Sequence, residues 1–243
     1  MQGTPRLTFS RRRRLINGGI ILLSAFLAGG IGVAVSQASQ ARTTAAETAA
    51  VYKPAVTYTA PPAPTEVAFL GDSFTVGTGS STRADRWTTS LSMDNHWMEL
   101  NYGYGGTNYA TAGTLKGGRA YADRLTDIII SQPDIVIVSS AGNNVTDDQT
   151  PGIAATFREL QEQIPDARII ATSPYYRADD FPKALIDFGD DVRAGVEAVG
   201  GEYLDIGHPL EGHTEAMDED GVHPNDLGYE LIAEAVQEAL DSS

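Results

Sequence analysis

Cysteine is absent from the 243-residue chain. Its absence removes disulfides, thiol nucleophiles and cysteine-zinc sites together, and leaves the redox compartment undetermined. Positive charge is scarce: 17 lysines and arginines face 32 aspartates and glutamates, for a formal net charge of -15. With no basic surface to neutralise phosphates, nucleic acid is excluded as a partner. An acidic surface favours solubility and repels anionic polymers at low salt. Histidine is rare too, at four residues. His208, His213 and His223 lie near Asp218, Glu219 and Asp220, but their spacing fits no His-x-x-x-His or similar metal template. A solvated acidic loop is expected there rather than a metal site. The chain has no internal repeat.

Charge is also missing from residues 15–35, which are rich in Ile, Leu, Val, Ala and Gly. This is about the length needed to cross ~30 Å of hydrocarbon at ~1.5 Å per residue. Arg6 and Arg11 to Arg14 precede it, so the positive-inside rule keeps the N-terminus cytoplasmic and exports the rest of the chain. Residues 1–35 therefore read either as a signal peptide cleaved near Ser36-Gln37-Ala38 or as an uncleaved signal-anchor. The arginines also permit a twin-arginine signal, as a loose match. Residues 36–65 turn to Ala, Thr, Gln and Pro and end in Ala60-Pro61-Pro62-Ala63-Pro64. With few large apolar side chains, they read as a disordered linker. The expected product is secreted or membrane-anchored, with one folded domain over 66–243.

Within that domain, apolar runs alternate with helical patterns. Strands are predicted at 66–70, 97–102, 135–139, 167–172 and 202–206. Continuous apolar strands of this kind belong in a parallel sheet covered on both faces. Helices are predicted at 119–131, 151–163, 180–199 and 225–240. The second has Thr150 as N-cap and Pro151 at its first position. The last places Leu227, Leu231, Ile232, Ala235, Val236 and Leu240 on one face. The pattern predicts a three-layer α/β/α sandwich around a five-stranded parallel sheet, with ligands bound beyond the carboxyl ends of the strands.

Four strand ends or their sequels carry unusual polar groups: Gly71-Asp72-Ser73-Phe74, residues 101–106, Ala141-Gly142-Asn143-Asn144 and Asp220-Gly221-Val222-His223-Pro224. A hydrolase needs a nucleophile, a base, a group that orients the base, and oxyanion donors. Ser73, directly after the first strand, is the candidate nucleophile. His223 is the candidate base, and Asp220, three residues earlier, can reach its far ring nitrogen and set the tautomer. The backbone N–H groups of Ser73 and Gly106 and the amide of Asn143 are the candidate oxyanion donors.

These segments resemble the four blocks of the SGNH hydrolase superfamily, the GDSL-like esterases and lipases. Gly71-Asp72-Ser73 matches the nucleophile block, and residues 101–106 resemble the glycine block with Gly106 at the oxyanion position. Ala141 to Asn144 resembles the Gly-x-Asn-Asp block, and Asp220 to Pro224 matches Asp-x-x-His-Pro. Each is weak alone, but all four occur in the family's order. Two departures stand out: Ala141 replaces the usual glycine, and Asn144 the usual aspartate, so no charged contact from position 144 can hold that loop. The resemblance implies a flavodoxin-like fold and hydrolysis of small acyl esters through an acyl-enzyme on Ser73, without metal or cofactor. O-acetyl groups on carbohydrate, or short-chain lipid esters, are the expected substrates. An acyltransferase on the same scaffold and a non-catalytic wall-associated binding module are the rivals.

Other features compete for notice. Asp205-Ile206-Gly207-His208-Pro209 repeats the Asp-x-x-His-Pro spacing but lacks the amphipathic helix after it, and is read as a strand end and loop. Gly103-Tyr104-Gly105-Gly106 fails as a dinucleotide loop, because position 108 is Asn where the last glycine belongs. Tyr104 and Tyr109, beside Gly106, are the candidate substrate-binding aromatics. Trp87 and Trp97 suit core packing at least as well.

Overall fold

A computed structural model of the chain describes residues 62–113 and 118–243. Residues 1–61, including the expected apolar span 15–35 and most of the linker 36–65, lie outside the described residues. Among the described residues no helix is long and apolar enough to cross a membrane.

Five strands form where the apolar runs predict them: β1 (Glu66–Gly71), β2 (Met98–Gly103), β3 (Ile135–Val138), β4 (Arg168–Thr172) and β5 (Glu202–Leu204). All pair in parallel, in the order β2-β1-β3-β4-β5. The alternation of Cβ direction along each strand divides the core in two. Ala68, Leu70, Val136 and Val138 point to one face, and Val67, Phe69, Ile135 and Ile137 to the other. Because both faces are covered, no polar alternation was needed in the sequence, and β1 is buried from Val67 to Gly71. This is the predicted three-layer α/β/α sandwich, with flavodoxin-like strand order.

The described helices are α1 (Ser73–Val76), α2 (Trp87–Asp94), α3 (Leu125–Ser131), α4 (Thr150–Gln163), α5 (Lys183–Glu197) and α6 (Asp226–Asp241). Helices α3, α4 and α5 cover the Leu70 face, and α2 and α6 cover the Phe69 face. Several boundaries differ from expectation. The helix expected at 119–131 is a 3-10 turn, Ala122–Arg124, followed by α3; the break falls at Arg124, whose side chain is buried. Thr150 lies inside α4 rather than capping it, and Asp148 Oδ1 accepts the Thr150 N–H. Helix α5 starts at Lys183 because Pro182 holds extended backbone (φ -69°, ψ 141°). Asn225 caps α6, accepting from Gly228 N at 3.2 Å. Leu227 turns out of the expected apolar face and is 42 % exposed.

Helix α2 has no counterpart in the predicted elements. Its buried apolar residues reduce to Trp87 and Leu91 among Thr and Ser, one turn apart and too few to announce a period, while Met93 is exposed. Both are buried in the core, which settles the role of Trp87 as packing.

Candidate functional site

The strand order places β2 and β3 on opposite sides of β1, so the chain leaves β1 one way and β3 the other. A crevice opens at that reversal, beyond the carboxyl ends of the strands. The two segments that flank it are those predicted from sequence. Gly71 pairs with Gly103 at the end of β1–β2, and Leu70 pairs with Val138 at the end of β1–β3.

Ser73 is the first residue of α1, capped by Asp72, whose Oδ1 accepts the Phe74 N–H at 3.0 Å. Its exposure is 9 %, and it opens onto a cavity of about 560 Å³. Gly105, Gly106, Asn143 and His223 line the same cavity. A larger groove, about 930 Å³, runs between α2 and α6 past Met93 and Leu227. It carries no nucleophile–base pair, and chemistry selects the smaller cavity.

His223 Nδ1 and Asp220 Oδ2 are 2.6 Å apart, and Asp220 Oδ1 accepts the N–H of both Val222 (2.8 Å) and His223 (2.9 Å). The bond to His223, aided by the two amides, lowers the Asp220 carboxyl to about 2. An ionised carboxylate can only accept, so Nδ1 carries a proton and, in the neutral ring, Nε2 is the nitrogen that can act as base. Phe74 supports the imidazole, with ring centroids 5.8 Å apart, and is itself stacked on Tyr175 at 5.3 Å. Among the described residues no hydrogen bond joins Ser73 Oγ to the ring; such contacts are often long before substrate binds.

Asn143 lies in a turn between Gly142 (φ 74°) and Asn144 (φ 52°), a conformation asparagine tolerates better than most residues. Its Nδ2 donates to Asp72 Oδ2 and to Thr107 O, each at 3.2 Å. Both neighbours are acceptors, which fixes which end of the amide faces them. Gly106 adopts φ 73°, where a side chain would be strained.

Several structural residues escaped the sequence. Asp72, fully buried, joins the Ser73 turn to the Asn143 loop, because its Oδ2 also accepts the Ala141 N–H at 2.7 Å. Burial pushes its carboxyl up to about 6, against the lowering effect of the amides of Ala141 and Phe74 and of the Arg124 charge. Arg124 donates to Tyr102 O (2.5 Å), Gly71 O (3.0 Å) and Thr107 Oγ1 (3.0 Å), tying the ends of β1 and β2 to the glycine loop. Asn108, the residue that spoils the dinucleotide pattern, donates to Asn143 O at 2.7 Å and accepts from Ser140 Oγ at 3.1 Å. Gln149 bonds Asn144 O (3.2 Å) and Ala110 N (2.8 Å), so neutral contacts hold the loop that lacks its charged residue. Apart from the Asp72 cap of Phe74 and the short-range Gln149–Asn144 bond, the partners named lie 17 or more residues away, so no local spacing betrays them.

One expected site residue is corrected. Tyr109 is 1 % exposed, packed among Tyr121, Phe157 and Phe188, and cannot meet substrate. The loop turns it inward because burying an aromatic ring is worth more than leaving it wet. Tyr104 is half-buried and not part of the cavity wall, which its neighbours Gly105 and Gly106 form. The second Asp-x-x-His-Pro segment makes no such pair: His208 meets Glu211 at 3.2 Å and stacks on Phe181 at 3.9 Å, while Asp205 faces Arg193. No cluster of three or more metal-ligating side chains occurs among the described residues.

The GDSL-like Lipase/Acylhydrolase family matches residues 69–231, spanning all four segments. The chain belongs to that family. A GDSL lipase of Mycobacterium tuberculosis is 26 % identical to this GDSL-like protein over 186 residues, covering 70 % of this chain and 79 % of that one. The fold is shared with the psychrotrophic esterase EstA of a Pseudoalteromonas species (TM-score 0.58, 16 % identity, 73 % of this chain and 97 % of that one). It is shared also with a two-domain esterase active on acetylated mannans (TM-score 0.54, 19 % identity, 74 % of this chain and 49 % of that one).

Proposed function

We propose that this GDSL-like protein is an exported serine esterase that hydrolyses small acyl esters, O-acetyl groups on carbohydrate foremost, through an acyl-enzyme on Ser73. The observation that carries the reading is the shared cavity of Ser73 and His223, with His223 Nδ1 held by Asp220 at 2.6 Å. Ser73 Oγ attacks the ester carbonyl while His223 Nε2 takes its proton, and the ionised Asp220 stabilises the resulting imidazolium. The N–H groups of Ser73 and Gly106 and the amide of Asn143 receive the oxyanion. The two bonds Asn143 makes are long for its kind, so the stronger, charge-assisted bond to an oxyanion can draw one hydrogen away. His223 returns the proton to the leaving alcohol, water adds to the acyl-enzyme with the same base, and the acid departs.

The mannan esterase of like fold supports the acetyl-carbohydrate choice. Residues 15–35, behind Arg11 to Arg14, support export and membrane anchoring. The test is hydrolysis of p-nitrophenyl acetate, butyrate and longer esters, and of acetylated oligosaccharides, beside Ser73→Ala. Activity on the short esters should vanish in the variant, and a fluorophosphonate should label Ser73. Equal slow hydrolysis by both proteins, or a label on another residue, defeats the proposal. Mass spectrometry of the N-terminus from the exporting cell tests cleavage against anchoring.

A further inference from the structure

The wall of the Ser73 cavity departs from the charge of the rest of the chain. In a protein of net charge -15, no aspartate or glutamate lines it among the described residues, and besides His223 its one basic side chain is Arg177. Arg177 follows β4 and is part of the wall with Tyr176, over whose ring the guanidinium sits at 5.2 Å. The side chain is 39 % exposed. Asp179 Oδ2 approaches Nε at 2.5 Å, an ionic contact and not an aligned hydrogen bond, since the buried Nε has no hydrogen-bond partner. Asp179 itself is 65 % exposed and outside the wall, and among the described residues the terminal nitrogens of Arg177 donate to nothing.

A guanidinium stacked on an aromatic ring, with its two-pronged edge uncommitted, is shaped for a planar or tetrahedral oxyanion. Elsewhere the acidic surface disfavours anions, so a cation in the wall of the nucleophile's cavity, with its terminal nitrogens still available beside the Asp179 contact, gains in discrimination. We infer that Arg177 forms a subsite for an anionic group, carboxylate or phosphate, carried by the ester substrate near its reacting carbonyl. The inference rests on the esterase reading above and narrows its substrate class from acyl esters to acidic ones.

Matched aryl acetates test it. The purified protein is assayed on 3- and 4-acetoxybenzoate, on 4-acetoxyphenyl phosphate, and on the neutral 3- and 4-acetoxybenzamides. The quantity read is the ratio of kcat/KM for each anionic ester to that for its neutral counterpart. Taken within one protein, the ratio cancels any loss of folded fraction. In Arg177→Gln it should fall about tenfold, the size of one charge-assisted contact in a half-buried setting. Arg177→Lys should keep most of the preference, and added salt should erode it in the wild type. A fall confined to the benzoates names carboxylated substrates, and one confined to the phosphate names phosphorylated ones. Ratios in Arg177→Gln within twofold of wild type for every anionic ester overturn the subsite, while Ser73-dependent hydrolysis of the amides leaves the esterase reading standing. Failure to hydrolyse any of these esters in a Ser73-dependent way defeats both.

Discussion

The Ala141 N–H donates to Asp72 Oδ2 at 2.7 Å across 69 residues of sequence. Through this bond the turn that presents Ser73 and the loop that presents Asn143 become one rigid piece. The carboxylate at its centre accepts three donors, from Phe74, Ala141 and Asn143, and is fully buried.

Asp72 makes stability depend on pH in an unusual direction. Its carboxyl is raised from 3.8 to about 6 by burial, so the folded protein holds this proton more tightly than the unfolded chain. The stabilisation is complete below about 4 and is lost as pH rises through about 6, by about 3 kcal/mol at most. Asp72→Asn lacks that titration but turns an amide NH2 toward a donor. In urea unfolding at pH 4 to 7, the stability of wild type minus that of Asp72→Asn should decrease with pH over this window. A difference that is flat, or that grows, contradicts the raised carboxyl.

Asp220 is held at the opposite extreme, lowered to about 2 by its bond to His223, so it is ionised at neutral pH. Asp220→Asn keeps an oxygen for the Val222 and His223 amides but offers His223 no full negative charge. It should lower kcat by between about 10² and 10⁴, less than for a buried triad aspartate, because water can partly replace an exposed carboxylate. A loss under tenfold would show that Asp220 does not orient the base.

Arg124 is predicted to govern stability more than chemistry. Arg124→Met leaves Gly71 O, Tyr102 O and Thr107 Oγ1 without their donor, at about 1–3 kcal/mol for each buried group. We expect a loss of at least about 3 kcal/mol by denaturant unfolding. Arg124→Lys should recover less than half of it, because a single ammonium cannot span three acceptors.

Gly103 sets the distance between β2 and the nucleophile's helix. A Cβ there would lie 2.5 Å from Val76 N and 2.9 Å from Thr75 C, backbone atoms with no rotamer to yield. Gly103→Ala should cost about 1–3 kcal/mol and, by pushing α1 and Ser73 aside, lower kcat more than it raises KM. Unchanged kinetics with normal stability would mean that the backbones separate freely.

Much of this was present in the residue order. The apolar runs of β1, β3 and β4 show in one dimension, because a strand covered on both faces needs little but apolar side chains, whereas the edge strands β2 and β5 also carry Glu99, Asn101 and Glu202. The Asp220–His223 pair was legible for a similar reason: the partners lie three positions apart in a single turn. Tyr109 shows where this kind of reading stops. A loop aromatic beside a glycine cluster has the same neighbours in sequence whether it faces solvent or core, and only the packing of Tyr121, Phe157 and Phe188 decided for the core.

By itself, then, the sequence determined the layered sheet, the four polar segments at the strand ends, and which histidine has a carboxylate three residues before it and a long amphipathic helix after it. Tertiary structure decided the strand order that opens a crevice at β1, the inward turn of Tyr109, and the bonds of Asp72, Asn108 and Arg124 between segments. It also decided that Arg177 shares a cavity wall with Ser73. The division has a physical cause. Burial pattern and local turns are short-range properties carried by adjacent residues, whereas a buried polar group takes whatever partner the folded chain brings within about 3 Å, at any separation in sequence.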